Sequence, residues 1–199
     1  MSLRINQRVV GITTLGPFRR YGLWVQGCGR NCPGCISPEA QGFDGGYVCE
    51  VETLAREILE TEDIEGITIS GGEPFLQQEA LSRLVRRIRA ERDLGVIVYT
   101  GFTYPEIALT ELAALCDAII DGPYQEEKND GLSLRGSSNQ RLILLTERYR
   151  DSLRIGTFGR QAQLYQTPEG HTTLVGVPSP GHIQYVRKLR QHLQKGEDA

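Results

Sequence analysis

The stretch Gly27-Cys28-Gly29-Arg30-Asn31-Cys32-Pro33-Gly34-Cys35 constrains this chain more than any other. It places three of the five cysteines at a C-x3-C-x2-C spacing, in a loop broken by glycine and proline. Cysteines so crowded, in an odd total, make a poor disulfide framework and point to a reducing compartment and a metal use. Three thiolates can hold three corners of a four-iron cluster and leave the fourth iron open to a substrate. A structural zinc ion normally takes four protein ligands. Zinc stays open as the alternative, with Cys49 as the fourth thiolate in reach along the chain.

The chain has 199 residues, enough for one domain or a domain with an appendage. Its formal net charge of −3 argues against a general nucleic-acid or membrane-surface role. There is no apolar run of membrane-spanning length, and the first residues lack a signal-peptide core. These features together predict a cytoplasmic protein.

From Val51 onward, helical and strand patterns alternate. Val51, Leu54, Ala55, Ile58 and Leu59 recur at helical spacing, and so do Ala80, Leu81, Leu84, Val85 and Ile88. Ile107, Leu112, Ala113 and Leu115 predict a third helix. Strands are expected at 22–26, 64–70, 96–99 and 118–120, with a further one at 142–145. Such alternation implies βα units and a mostly parallel sheet. The strands end at polar punctuation: the cysteine loop, Gly71-Gly72-Glu73-Pro74, Thr100-Gly101 and Asp121-Gly122-Pro123. In parallel α/β folds such ends build the ligand site, so these four loops are expected to share one mouth. Past residue 141 the pattern changes: after the strand at 142–145 come a hairpin, 162–167 and 172–177, and a basic terminal helix over 183–195. The chain therefore divides into a core, 1–146, and a C-terminal extension, 147–199, packed on it.

The cysteine triplet followed by Gly71-Gly72-Glu73-Pro74 resembles the radical S-adenosylmethionine (SAM) superfamily. Pro33-Gly34, Tyr99-Thr100-Gly101-Phe102, Asp121-Gly122 and above all Arg135-Gly136-Ser137-Ser138-Asn139-Gln140 narrow the resemblance to the activating proteins of anaerobic ribonucleoside-triphosphate reductases, which are glycyl-radical activases. Most radical SAM enzymes carry an aromatic residue where Gly34 stands, whereas this activase group commonly has glycine. Ile36-Ser37 and the long tail depart from the activase pattern.

The resemblance implies an α/β fold built as a partial, open (β/α) barrel with a C-terminal hairpin-plus-helix extension. It implies a [4Fe–4S] cluster on Cys28, Cys32 and Cys35, and SAM on the open iron. Gly71, Gly72 and Glu73 would hold the methionyl end, Gly34 and Ile36 would lie near adenine, and Thr100 and Asp121 would add polar contacts. An electron from a flavodoxin or ferredoxin would drive reductive cleavage of SAM to a 5′-deoxyadenosyl radical. That radical would abstract a glycine Cα hydrogen from a reductase-like partner, so the chain is expected to be an oxidoreductase of the glycyl-radical-activating type. The alternatives are a radical SAM enzyme acting directly on a small molecule or peptide, and a zinc-stabilised interaction module.

Other residues have plainer readings. Cys116 fits the core. His171, His182 and His192 share no ligand spacing. Arg83, Arg86, Arg87, Arg89 and Arg92 read as a solvated helix face, and Trp24 as packing beneath the cysteine loop.

Overall fold

The computed structural model describes residues 1–157, 159–166 and 172–178. The expected turn at 168–171, the terminal helix at 183–195 and the three histidines lie outside them. Four strands, β2 (Arg20–Val25), β4 (Gly66–Gly71), β5 (Gly95–Tyr99) and β6 (Ala118–Asp121), run parallel at the centre of a seven-stranded sheet. On one side β1 (Ser2–Ile12) and β3 (Tyr47–Glu50) add antiparallel strands, and β7 (Arg141–Leu144) does so on the other. The order is β3-β1-β2-β4-β5-β6-β7. A separate hairpin pairs β8 (Ala162–Gln166) with β9 (Thr172–Gly176). This is a mixed α/β fold with a parallel centre.

Side chains alternate across the central strands, which makes the sheet two-sided. Leu23, Val25, Ile67, Ile69, Val96, Val98 and Ile119 face α1 (Val51–Glu60) and α2 (Gln78–Arg89) in the main core. The helices lie there because their apolar stripes, Val51-Leu54-Ala55-Ile58 and Ala80-Leu81-Leu84-Val85-Ile88, are the buried ones. The opposite face carries Arg20, Trp24, Ile97, Tyr99 and Ile120. It is covered by Tyr149 and Leu153 and by Val175 and Val177 of the hairpin region.

The expected third helix is two short ones, α3 (Tyr104–Ile107) and α4 (Glu111–Ala114). Thr103 and Glu106 form a capping box, and the Thr110 hydroxyl accepts from Ala113 N–H, so a second start signal interrupts the first helix. The arginines of α2 are engaged. Arg83 and Arg87 pair with Glu52 of α1, Arg86 with Glu111 of α4 and Arg89 with Asp117. Arg92 donates to the carbonyls of Leu59 and Thr61 at the end of α1.

At the base of the sheet Arg20 is fully buried. It donates to Thr68 Oγ1 at 2.7 Å, Glu65 Oε2 at 2.7 Å, Tyr149 Oη at 2.7 Å and the carbonyls of Ile67 and Gly95. A buried guanidinium is tolerable only when its donors are used in this way. Tyr149 completes the knot by donating to Glu65 Oε2 at 2.7 Å.

Candidate iron–sulfur and SAM site

The cysteine loop leaves the C-terminal end of β2 and is closed at its base by two backbone bonds. Gly27 N–H donates to Ala40 O at 2.8 Å and Cys28 N–H to Gln41 O at 2.9 Å. The Gln26 amide, below, donates to Glu39 O and Gly42 O. Within the loop, Cys35 N–H donates to Cys32 O, which brings the last two cysteines around one tight turn.

The Gly71-Gly72-Glu73 segment is fastened alongside. Gly72 N–H donates to Val25 O at 2.8 Å and Glu73 N–H to Gly27 O at 2.9 Å. These bonds explain the glycine pair. Gly71 has φ +102°, and a side chain at Gly72 would strike the carbonyls of Gly27 and Ala40.

Glu73 is buried, 1 % exposed, and its carboxylate is committed. Oε1 accepts from Thr100 Oγ1 at 2.7 Å and Phe75 N–H at 3.1 Å, while Oε2 accepts from Gly101 N–H at 2.8 Å. Burial raises its pKa; the Thr100 hydroxyl, the Phe75 and Gly101 amides and the Arg30 guanidinium oppose that rise. Its side chain therefore joins the ends of β4 and β5, and Thr100 acts through it. Arg30, from the cysteine loop, stacks 4.2 Å over the Phe102 ring, with Nε 3.9 Å from Glu73 Oε2.

Cys28, Cys32, Cys35, Ile36, Gly71, Gly72, Glu73 and Thr100 line one cavity. The expectation of a shared mouth holds for the loops after β2, β4, β5 and β6, the last through Gly122 and Tyr124. Gly136 and Gln140 of the Arg135–Gln140 segment reach it as well. Two expected residues stand elsewhere. Gly34 is at the exposed apex of its turn, with φ +67°, against the carboxylate of Glu126. Asp121 is buried behind the cavity, where Arg141 Nε (3.0 Å) and Tyr104 N–H (2.6 Å) use its oxygens. The polar ligand contact expected of Asp121 gives way to a structural task at the start of α3. Arg30, Gln41 and Tyr124 also stand on the cavity wall; the Arg135–Gln140 motif and the Tyr99–Phe102 run are the sequence signals for that region.

The donor set separates the metal readings. Cys28, Cys32 and Cys35 are free, half-buried thiols. Burial pushes the Cys28 thiol up, its backbone bond to Arg30 opposes this, and Glu73, Cys32 and Cys35 push it further up. Such a place disfavours a bare thiolate and suits one neutralised by iron. Among the described residues no three His, Cys, Asp or Glu side chains converge closely enough for a single ion. Cys49 sits on the edge strand opposite Leu3 and does not line the cavity, so a closed zinc site lacks its fourth thiolate there. Three thiols spread around one cavity fit the corners of a larger iron–sulfur cluster. Cys116 is buried and donates to Leu112 O, as expected of a core thiol.

Gly34, beside the cavity, and Asp121, behind it, each carry a prediction. Gly34→Ala is expected to cost about 1–2 kcal/mol in the loop, because φ is positive and Glu126 occupies the space. Slower iron uptake during reconstitution, against unchanged helical circular dichroism, checks it. Burial alone would raise the Asp121 pKa, but Arg141 and the Tyr104 amide outweigh it and hold the carboxyl below its usual range. Its contribution is therefore present above the unfolded value, about 3.9. It is lost as pH falls through the lower folded value. Urea midpoints measured from neutral pH down to about pH 2 should fall less steeply in Asp121→Asn, below about pH 4, than in the parent.

The family model described as "4Fe-4S single cluster domain" matches residues 14–143. The anaerobic ribonucleoside-triphosphate reductase-activating protein of Enterobacteria phage T4 is 33% identical over 135 residues, covering 64% of this chain and 85% of that protein. Its counterpart from Vibrio cholerae is 32% identical over 135 residues, covering 63% of this chain and 87% of that one. The pyruvate formate-lyase-activating enzyme of Clostridium pasteurianum is 30% identical over 94 residues, covering 45% of this chain and 40% of that enzyme. The matched region holds the cysteine loop, the glycine pair and the four converging strand ends, and the chain belongs to the 4Fe–4S, radical SAM family of activating proteins.

Proposed function

We propose that this chain is a radical SAM activase that installs a glycyl radical on an anaerobic ribonucleoside-triphosphate reductase. The observation that carries this reading is the double fastening of the cysteine loop to the Gly71–Glu73 turn, which puts three thiols and a glycine-rich backbone on one cavity. When bound and reduced, the cluster supplies the electron that splits SAM and yields the hydrogen-abstracting adenosyl radical.

In this reading Cys28, Cys32 and Cys35 hold the cluster. The half-buried backbone of Gly71 and Gly72 receives the methionyl end of SAM, and Glu73 fixes that backbone while lending negative charge towards the ammonium. Thr100 positions Glu73. Ile36, on the cavity wall, and Gly34, in the turn beside it, are assigned to the adenine side. The packed strand ends exclude water from the radical.

The sheet is read as an open, partial (β/α) barrel, with residues 147–199 as an extension packed on it. The electron donor is read as a flavodoxin or ferredoxin. Five free cysteines support a reducing cytoplasm, and among the described residues no helix is long and apolar enough to cross a membrane.

Anaerobic reconstitution with iron and sulfide, then dithionite and SAM, tests the proposal. The expected result is 5′-deoxyadenosine, with a protein-based glycyl radical signal in electron paramagnetic resonance when the reductase is added. Absence of 5′-deoxyadenosine from a fully loaded sample refutes it. A second reading, direct action on a small molecule or peptide, draws on the hairpin wall of the cavity. It predicts 5′-deoxyadenosine without any radical on an added reductase.

A further inference from the structure

Among the described residues that line the cavity, Arg30 is the one basic side chain. It comes from the cysteine loop, where its backbone bonds to the Cys28 sulfur, and it lies across the end of β5. Gly101 leaves the room for it, since a Cβ there would stand 2.5 Å from Arg30 Cδ. The guanidinium stacks 4.2 Å over the Phe102 ring, which holds its plane. Its Nε is buried without a hydrogen-bond partner, 3.9 Å from Glu73 Oε2. Glu73 does not satisfy it, because that oxygen accepts from Gly101 N–H at 2.8 Å. The side chain is 26 % exposed, and among the described residues neither terminal nitrogen is enclosed or hydrogen-bonded. A cation is thus held in place on the cavity wall with its outer donors unused. Such a fork matches a carboxylate.

We propose that the terminal nitrogens of Arg30 receive the carboxylate of SAM's methionyl group, so that the site selects a ligand ending in a free amino acid. This rests on the radical SAM reading above and extends it to a residue of the cysteine loop. SAM carries one anionic group, its carboxylate, and the described cavity wall carries one cation to meet it. Arg30 neighbours Glu73, which that reading sets towards the ammonium. Two opposite charges so placed suit a zwitterion whose own charges are joined through a single carbon. Adenine and ribose offer no charge to match a guanidinium, and a peptide backbone offers none either. A carboxylate has two oxygens, so a bond to Arg30 leaves one for iron.

The test uses the iron-loaded full chain under anaerobic conditions, with SAM and with decarboxylated SAM, which keeps the sulfonium nucleoside and the amine but has no carboxylate. Equilibrium dialysis gives the affinity for each. In Arg30→Met, SAM is expected to bind about 10- to 100-fold more weakly, as for loss of a hydrogen-bonded ion pair, while decarboxylated SAM loses less than about twofold. Arg30→Lys should restore part of the preference, because the charge returns without the fork. Both ligands are read on one sample, so a variant with less cluster still yields their ratio. An unchanged ratio in Arg30→Met overturns the proposal. That holds whether both ligands bind as in the parent or both are weakened alike, the second result making Arg30 a prop of the loop. If the parent binds no SAM at all, the radical SAM reading fails and takes the Arg30 assignment with it. If the parent binds SAM and yields 5′-deoxyadenosine but the ratio does not move, the assignment to Arg30 alone has failed.

Discussion

Cys32→Ser is expected to lose the brown chromophore, the bound iron and all 5′-deoxyadenosine formation together. Serine offers a hard, weakly acidic hydroxyl where iron in such a cluster takes a soft thiolate. Cys32 also shares a tight turn with Cys35, whose amide donates to the Cys32 carbonyl, so no other sulfur stands ready to take its place. Cys49→Ser is the informative companion. Cys49 lies on the edge strand β3, away from the cavity, and its replacement should leave iron, sulfide and colour intact. Iron analysis and visible absorbance of both anaerobic variants decide the matter. Full activity in Cys32→Ser would defeat the cluster assignment, and colour loss in Cys49→Ser would revive a four-thiolate site.

Glu73→Ala has the largest expected effect on the fold. Removing the carboxylate leaves the Thr100 hydroxyl and the Phe75 and Gly101 amides without their acceptor in a buried place. Each unsatisfied buried donor costs about 1–3 kcal/mol, so the variant should lose about 3–5 kcal/mol in urea unfolding of the metal-free protein. Gly72 and the cysteine loop are fastened to the same segment, and both iron retention and SAM affinity should fall with it. Glu73→Gln keeps two acceptor lone pairs and should recover part of the stability. Normal stability in Glu73→Ala, with SAM binding alone impaired, would instead make Glu73 a direct ligand and nothing more.

Much of this arrangement could be read from residues, and the rest was hidden for physical reasons. The helices α1 and α2 and the central strands were legible because their apolar periods are clean and their ends carry glycine. The strand β1 carries no clean period, because a register shift between Ile5 and Gln7 turns Leu3 and Ile5 to one core and Val9 to the other. Its partner β3 spans four residues and runs directly into α1, too short to show a period. The third helix was read as one because its stripe continues across Thr110, while the cap at Thr110 decides the break. At the site, the cysteines and the glycine pair were visible as a pattern, but two roles were not. The sequence presents Asp121 as a polar strand end and cannot show that Arg141, twenty residues on, claims its oxygens. Glu73 looks like a carboxylate offered to a ligand, and only the fold reveals the three donors that take it.

The knot around Arg20 bears on how the chain comes together during synthesis. The residues shared with the family end at 143, but the phenol that accepts from this guanidinium is at 149. A nascent chain that has emerged only as far as the shared region carries the cation without the phenol ring that lies 5.1 Å from it. Tyr149 and Leu153 cover the inner face beside Ile97 and Ile120, so a fragment trimmed to the homologous stretch would leave that face bare and be a poor choice of minimal enzyme.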